Sequence, residues 1–484
     1  MDLQTAYISM RAILPELILV VTALLIIIYD LFLPEENRGA NAGIAAAGVI
    51  ASIIAMKFVG SVKVTAFFGM IEMDYFGTFF TLIILVALLL TLMLSRSYNE
   101  REGIQEGEYY ALLLLSAVGM VVMAKAADLM AIFLGLELLS IPIYVLVGFD
   151  RKRVSSVEGS MKYFILGSFA TGFLLYGMAL LYASTGTTNL YAMKDVLSKG
   201  TFSPMLMGGV ALILVGFAFK ASLVPFHMWT PDAYQGAPTP VTAFMSAGPK
   251  AAAFAALIKV LYLTLPGLHF YLWKGLWVIA VLTMTVGNIS ALVQNNVKRM
   301  LAYSSIAHAG YILVGLVSGD FLGAQAGMFY LLAYSLMNIG AFAVAIIICQ
   351  KEEEGFHIDQ FRGVGLRYPA LGALMLIFLL SLGGIPPTAG FVGKFYLFSA
   401  AVKQGYIWLA IIGVLNSAVS IYYYLRVVVY MYMVGVEGEQ EPLHFPGIAV
   451  TLALMAAALG VINFGIFPGG LLHFAELSIL SIII

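Results

Sequence analysis

The sequence predicts an all-α polytopic membrane protein of about fourteen transmembrane helices, arranged as two inverted five-helix repeats with discontinuous helices 7 and 12. Three observations carry this. The 484 residues are 62% hydrophobic and 11% charged, with a mean hydropathy of +0.97, outside the range of water-soluble domains. Apolar runs near the roughly 20 residues that a helix needs to cross a bilayer recur along the whole chain. Two of the longest runs are interrupted by Pro and Gly, and each has a lysine within a few residues of the interruption.

In order, the predicted crossings lie near 13–33, 42–60, 75–95, 109–124, 128–148, 160–184, 206–235, 239–262, 271–293, 299–318, 322–349, 370–402, 407–433 and 447–467. The first run lacks a basic leader and a small-residue cleavage site, so it is expected to stay as a membrane helix. Crossing 7 meets Pro225 and Pro231, and crossing 12 contains "SLGGIPPTAGFVGKFYLF". Proline removes a backbone donor and clashes with the preceding turn, so neither crossing can be one continuous helix. Broken helices persist at membrane depth where protein or water satisfies the freed backbone, which points to a transport path.

A weak internal repeat accompanies the breaks. "SIPIYVLVG" from Ser140 resembles "AHAGYILVG" from Ala307, an offset of 167 residues, and the two broken crossings fall in corresponding places. Five crossings per unit is odd, so the second unit is inverted. The expected organisation is one membrane domain over 1–484: three helices in 1–100, a first repeat over 105–262, a second over 271–433, and a C-terminal loop with helix 14 over 434–484. Of ten arginines eight, Arg38 to Arg367, fall in or at the edge of the loops of one side and only Arg11 falls on the other, which places both termini on that other, periplasmic, side.

The composition also excludes several functions. A net charge of -1 without a long basic tract argues against a nucleic-acid partner. The lone Cys349, read as a small buried side chain, excludes an internal disulfide or a cysteine-held iron–sulfur cluster. Histidines at 227, 269, 308, 357, 444 and 473 make no metal-binding pair, and no phosphate-binding glycine loop occurs. No cofactor is expected in this chain.

Lys220, Lys250 and Lys394 fall inside the predicted hydrocarbon zone. Each costs about 2.5–3.5 kcal/mol at a bilayer centre and therefore needs a carboxylate, water or carbonyls beside it. Glu137, mid-helix in "FLGLELLSIPIYVLVG", is the expected counter-charge for a switchable Glu–Lys pair, because desolvation disfavours the charged form of both groups. Lys220 and Lys250 are expected on adjacent helices facing one interior. His308 fits either a neutral relay between lysines or a satisfied core histidine. His227 and Asp232 flank the first break, with capping of the broken end and transport both open. Glu16, Asp30, Asp74 and Asp128 read as interfacial, "KEEEG" at 351–355 as a solvated loop, and the many Tyr and Phe as lipid-facing, packing or belt residues.

"FHMWTPDAYQGAPTPVTAFMS", with the flanking lysines of "FAFKASLVP" and "GPKAAAFA" and the glutamate of "GLELLSIP", resembles the antiporter-like membrane-subunit family of respiratory complex I, and within it the NADH-quinone oxidoreductase subunit N type. "NNVKRMLAYSSIAHAGY" and "GGIPPTAGFVGKFYLF" extend the resemblance over essentially the whole chain. It implies a proton-translocating subunit in the membrane arm, with Glu137, Lys220, Lys250 and Lys394 in proton transfer; on our own reading of the residues His308 passes the proton between Lys250 and Lys394. It also implies sister antiporter-like subunits as partners, NADH, FMN, iron–sulfur clusters and quinone in other subunits, and a place in the bacterial inner membrane. No departure appears at those four positions, but the two repeats differ: at the 167-residue offset Glu137 aligns with Ser304, so the second repeat lacks that carboxylate. A multisubunit cation/proton antiporter, a ferredoxin-, deazaflavin- or formate-linked relative, a sodium cycle and a purely structural spacer are the rival readings.

Overall fold

The computed structural model describes residues 3–34, 38–59, 63–104, 106–198, 203–349, 351, 356–435, 442–443 and 447–483. Most of "KEEEG" and His444 lie outside the described residues. Helices α1 (Leu3–Ala12), α2 (Leu14–Asp30) and α3 (Ala40–Val59) lead into an antiparallel hairpin, β1 (Val64–Ala66) and β2 (Ile71–Met73), with Val64 opposite Met73. Then follow α4 (Tyr75–Glu102), α5 (Gly107–Lys125), α6 (Leu129–Val147), α7 (Val154–Thr185) and the short α8 (Leu190–Leu197). The first interrupted crossing is α9 (Pro204–Lys220) plus α10 (Thr230–Gly236), and α11 (Thr239–Ile258) continues into a π-helical turn at Lys259–Thr264. The second unit comprises α12 (His269–Leu292), α13 (Val297–Val317) and α14 (Phe321–Ile348). After the one-turn α15 (Val364–Arg367) come the interrupted pair α16 (Pro369–Gly383) and α17 (Ala389–Lys403), then α18 (Ile407–Tyr432). Helices α19 (Ile448–Ile466) and α20 (Gly469–Ile483) close the chain.

Among the described residues eleven helices are long and apolar enough to cross a membrane. The 17-residue α2 and the two interrupted pairs complete the fourteen expected crossings. Burial separates an axis from a shell. The spans of α11 and α14 are 100% buried and that of α13 is 94% buried, whereas α7, α18 and α19 are 33% buried and face outward. Small side chains permit this packing: α11 reads "TPVTAFMSAGPKAAAFAALI", and Ala, Gly and Ser let neighbouring backbones close in. Helices α5 and α6 approach so tightly that a Cβ on Gly119 would come within 2.3 Å of the Leu139 nitrogen.

The chain departs from expectation at its edges. Instead of ending on one helix after a loop, the C-terminus adds α20, which folds back onto α4 and α14. Gln325 Nε2 donates to Leu472 O at 2.9 Å, Ser478 Oγ donates to Tyr75 O at 3.1 Å, and Phe79 packs on Phe474 at 5.1 Å. A 15-residue helix after Pro-Gly-Gly is too short to span, so hydropathy alone does not reveal it. The carboxylates read as interfacial are buried: Glu16 is 4% exposed, Asp30 9%, Asp74 2% and Asp128 6%. Each has partners within the protein. Glu16 pairs with Lys125 at 2.8 Å, Asp30 accepts from Asn41 and Gly107, Asp74 accepts from Gly77 N, and Asp128 caps α6. Lys125, Lys259 and Lys298 are likewise buried beyond the three lysines expected, and Cys349 is buried as expected.

Candidate functional site

Both interruptions place a lysine against a helix C-terminus. Lys220 is the last residue of α9, after which Ser222 takes a left-handed φ of 62° and the chain leaves the helix. The freed backbone is satisfied from outside: Val224 N donates to Thr283 Oγ1 of α12 at 3.0 Å, and Trp229 Nε1 donates to Phe219 O at 3.1 Å. At the second break α16 ends on Gly384, in the left-handed region at φ 80°. Its unpaired carbonyls receive Lys394, whose Nζ donates to Leu382 O at 3.0 Å, Gly383 O at 3.2 Å and Ser417 Oγ at 2.8 Å. A cation at the negative end of the helix dipole is the favourable arrangement, and it repays part of the lysine's desolvation.

Lys220 and Glu137 are both present at the expected depth but make no direct ion pair. Lys220 Nζ donates to Ser140 Oγ of α6 at 2.7 Å and to Tyr163 Oη of α7 at 3.0 Å. Glu137, one turn before Ser140, is only half-buried and accepts from Thr171 Oγ1 at 2.8 Å. Glu137 therefore faces the α7 side of α6 while Ser140 faces Lys220. Between them Thr171 and Lys220 line a cavity of about 10 Å³, close to the space of one water. The Tyr163 ring is plated by Trp229 at 4.0 Å and 8°.

Lys250, in the middle of α11, points to α13, where its Nζ donates to Ser305 O at 2.5 Å and also meets Ser305 Oγ. Adjacent Ser304 is hydrogen-bonded to Tyr424 of α18. The Tyr424 hydroxyl also lies 3.0 Å from His308 Nε2, and His308 Nδ1 lies 2.6 Å from Tyr330 Oη of α14. A neutral imidazole donates at one nitrogen and accepts at the other, so His308 joins the two tyrosines in either tautomer. Beyond His308, the ring of Tyr311 makes an edge contact at 5.6 Å and carries the Lys394 ammonium 4.6 Å above its centroid. Asn288 fixes Tyr311, donating to its hydroxyl at 3.0 Å.

Lys220 and Lys250 share the bundle interior without sharing a partner. Ser246, Tyr334 and Asn338 lie beside the Lys250 site. Asn338 Nδ2 donates to Ser246 Oγ at 2.6 Å, and the buried Tyr334 hydroxyl lies beside Ser246 and Ser305. The polar residues run as Glu137, Lys220, Lys250, His308 and Lys394, from the outer face of α6 to the α17–α18 face.

Sequence reasoning missed the hydroxyls that join these groups: Ser140, Tyr163, Ser304, Ser305, Tyr330, Tyr424 and Ser417. Two signals were available. Ser304 and His308 are four apart on one helix face, and at the 167-residue offset Lys250 corresponds to Ser417, the hydroxyl that receives Lys394.

Residues 126–420 match the NADH:quinone oxidoreductase/Mrp antiporter transmembrane family. The chain is 49% identical over 475 residues to NADH-quinone oxidoreductase subunit N of Trichlorobacter lovleyi, covering 98% of this chain and 97% of that one. The chain belongs to the subunit N family. The subunit N of Chloroflexus aggregans is 42% identical, again over 98% of this chain and 97% of its own. Among solved structures, a chain of respiratory complex I from Thermus thermophilus with bound aureothin matches with a TM-score of 0.81 and 34% identity, covering 95% of this chain and 98% of that one. A chain of the Mrp complex from Dietzia, at 22% identity, TM-score 0.83 and coverage of 99% and 98%, shares the fold. As a member of the subunit N family, this chain is a multi-span, antiporter-like component of the membrane arm of a respiratory complex.

Proposed function

We propose that the chain moves protons within the membrane arm of an NADH:quinone oxidoreductase, along the axis Glu137, Lys220, Lys250, His308, Lys394. The single observation that carries this is His308, hydrogen-bonded at both ring nitrogens by tyrosines that lie between the Lys250 and Lys394 sites. A proton accepted at one nitrogen and released from the other crosses the ring with a tautomer change and no net charge left behind. Ser304 and Tyr424 lead towards Lys250 at one end, and Tyr311 leads towards Lys394 at the other. At the entry side Lys220 sits among hydroxyls, with Glu137 one helical turn before its partner Ser140 on α6.

NADH, FMN, iron–sulfur clusters and quinone belong, in this reading, to partner subunits, and sister antiporter-like subunits flank this chain. The complex lies in the bacterial inner membrane with both termini of this chain periplasmic. Supporting that topology, the first and last helices meet at the hairpin end of the bundle, where Phe67 N donates to Ser9 Oγ at 3.5 Å and Ser481 Oγ donates to Asp74 at 3.3 Å. The test is Lys250→Ala in the assembled complex, with proton pumping and NADH:quinone turnover measured in sealed vesicles. Both are expected to fall together; wild-type rates of both pumping and turnover in an intact complex remove Lys250 from the path.

A further inference from the structure

The seven-residue helix α10 is held from both repeats at once. From the first repeat, Lys162 of α7 donates to Asp232 Oδ2 at 2.8 Å, and Arg153 at the start of α7 donates to Gly236 O at 3.0 Å. From the second, Arg299 of α13 donates to Asp232 Oδ1 at 2.8 Å and to Gln235 Oε1 at 2.8 Å, while Lys298 donates to Ala237 O at 2.6 Å. Four cations thus converge on one short helix and on the carbonyls at its C-terminal end, where positive charge is favoured. The fit on the α7 side is tight, since a Cβ on Gly159 would come within 2.8 Å of Asp232 O.

The two ends of this arrangement reach the axis. The residue before α10 is Trp229, which plates Tyr163, and Tyr163 accepts a hydrogen bond from Lys220. Arg299 lies on α13 five and six residues before Ser304 and Ser305 and nine before His308. One carboxylate therefore bridges the helix that carries Tyr163 and the helix that carries the Lys250 and Lys394 connections.

We infer that Asp232 is a positioning residue that clamps the two repeats together through Lys162 and Arg299. The clamp holds α10 so that Trp229 fixes Tyr163 on Lys220 while α13 presents Ser305 to Lys250. This assigns the break of crossing 7 a second duty beside interrupting the helix. The inference rests on the proton-transfer reading for its consequence in pumping, but its mechanical content stands without it.

The experiment therefore has two readouts on the assembled complex: hydrogen exchange over residues 226–246, and proton pumping in vesicles. Asp232→Asn is expected to raise exchange over that segment about fivefold, which is about 1 kcal/mol at 1.4 kcal/mol per decade, and to lower pumping. The exchanged pair Asp232→Arg with Arg299→Asp, made with Lys162→Gln so that the new arginine does not face a lysine, is expected to regain protection relative to Asp232→Asn with Lys162→Gln, an outcome that simple loss of a side chain does not produce. Lys162→Gln, which removes one partly exposed arm, supplies the same readout if Asp232→Asn fails to assemble, and is expected to raise exchange over 226–246 as well. Unchanged exchange in Lys162→Gln, or no recovery in the exchanged pair, overturns the clamp. Raised exchange with unchanged pumping keeps the clamp as a mechanical link and overturns its bearing on proton transfer.

Discussion

Replacing Tyr424 by Phe removes one oxygen from the axis and leaves every charged residue in place. That oxygen lies 3.0 Å from His308 Nε2 and is bonded to Ser304. Its loss leaves His308 Nε2 and Ser304 Oγ facing an apolar ring edge in a fully buried site. Each unsatisfied buried polar group costs about 1–3 kcal/mol, so a stability loss of about 2 kcal/mol is expected after relaxation. The functional effect is larger. A positioned proton donor–acceptor contributes roughly 10²–10⁴-fold to a transfer step, and the variant has none between Ser304 and His308. Transfer along this route is therefore expected to slow by about 100-fold or more. The assay is proton uptake by sealed vesicles containing the assembled complex, alongside NADH:quinone turnover in the same preparation. Tyr330→Phe, which strips the other ring nitrogen of its partner, is the matched variant and should behave alike. Wild-type rates of proton uptake and of turnover in an assembled Tyr424→Phe complex would refute the relay.

Other perturbations follow from the same geometry. Glu16→Gln breaks a buried pair with Lys125 at 2.8 Å and should cost about 3–5 kcal/mol, read as a lower melting temperature of the complex; the apolar pair Glu16→Leu with Lys125→Met should recover most of it. Gly384→Ala forces a side chain into φ 80° and sets its Cβ 2.9 Å from Lys394 Cδ, so it should lose about 1–2 kcal/mol from the backbone alone and reduce pumping by displacing the lysine. Asp74, at the membrane edge, is raised above its ordinary 3.8 because burial outweighs the opposing pull of Lys259 and the Gly77 N–H. A carboxyl raised in the folded state binds its proton more tightly there than in the unfolded chain, so stability falls as pH rises from about that ordinary value through the folded one. Asp74→Asn should flatten this decline, measured as hydrogen exchange of the β1–β2 hairpin against pH, and an unaltered slope would show that another group sets it.

The crossings were legible because each is an apolar run of bilayer length, and both breaks were legible because Gly and Pro cannot continue a helix. Lys220, Lys250 and Lys394 announced themselves by cost alone. The hydroxyl partners did not, because Ser305, Tyr330 and Tyr424 are ordinary residues until α13, α14 and α18 bring them together. Glu137 shows the same limit from the other side: its depth was readable, but which face of α6 it occupies relative to Lys220 was set by packing against α7. Position near a helix end misled for Glu16, Asp74 and Asp128, since the hairpin, α1, α8 and α20 fold over those ends and bury them. None of these covering pieces is long enough to register as a membrane span.

The Lys394 ammonium spends all three of its N–H groups on the end of α16 and on Ser417. A neutral amine has only two. If this lysine gives up its proton as proposed, one of those three acceptors loses its donor, at a place where the backbone has already left the helix. The occupancy of a single proton is thereby written into the latch between two half-helices, and whatever loosens or tightens that latch from a distance is also able to load or unload the lysine.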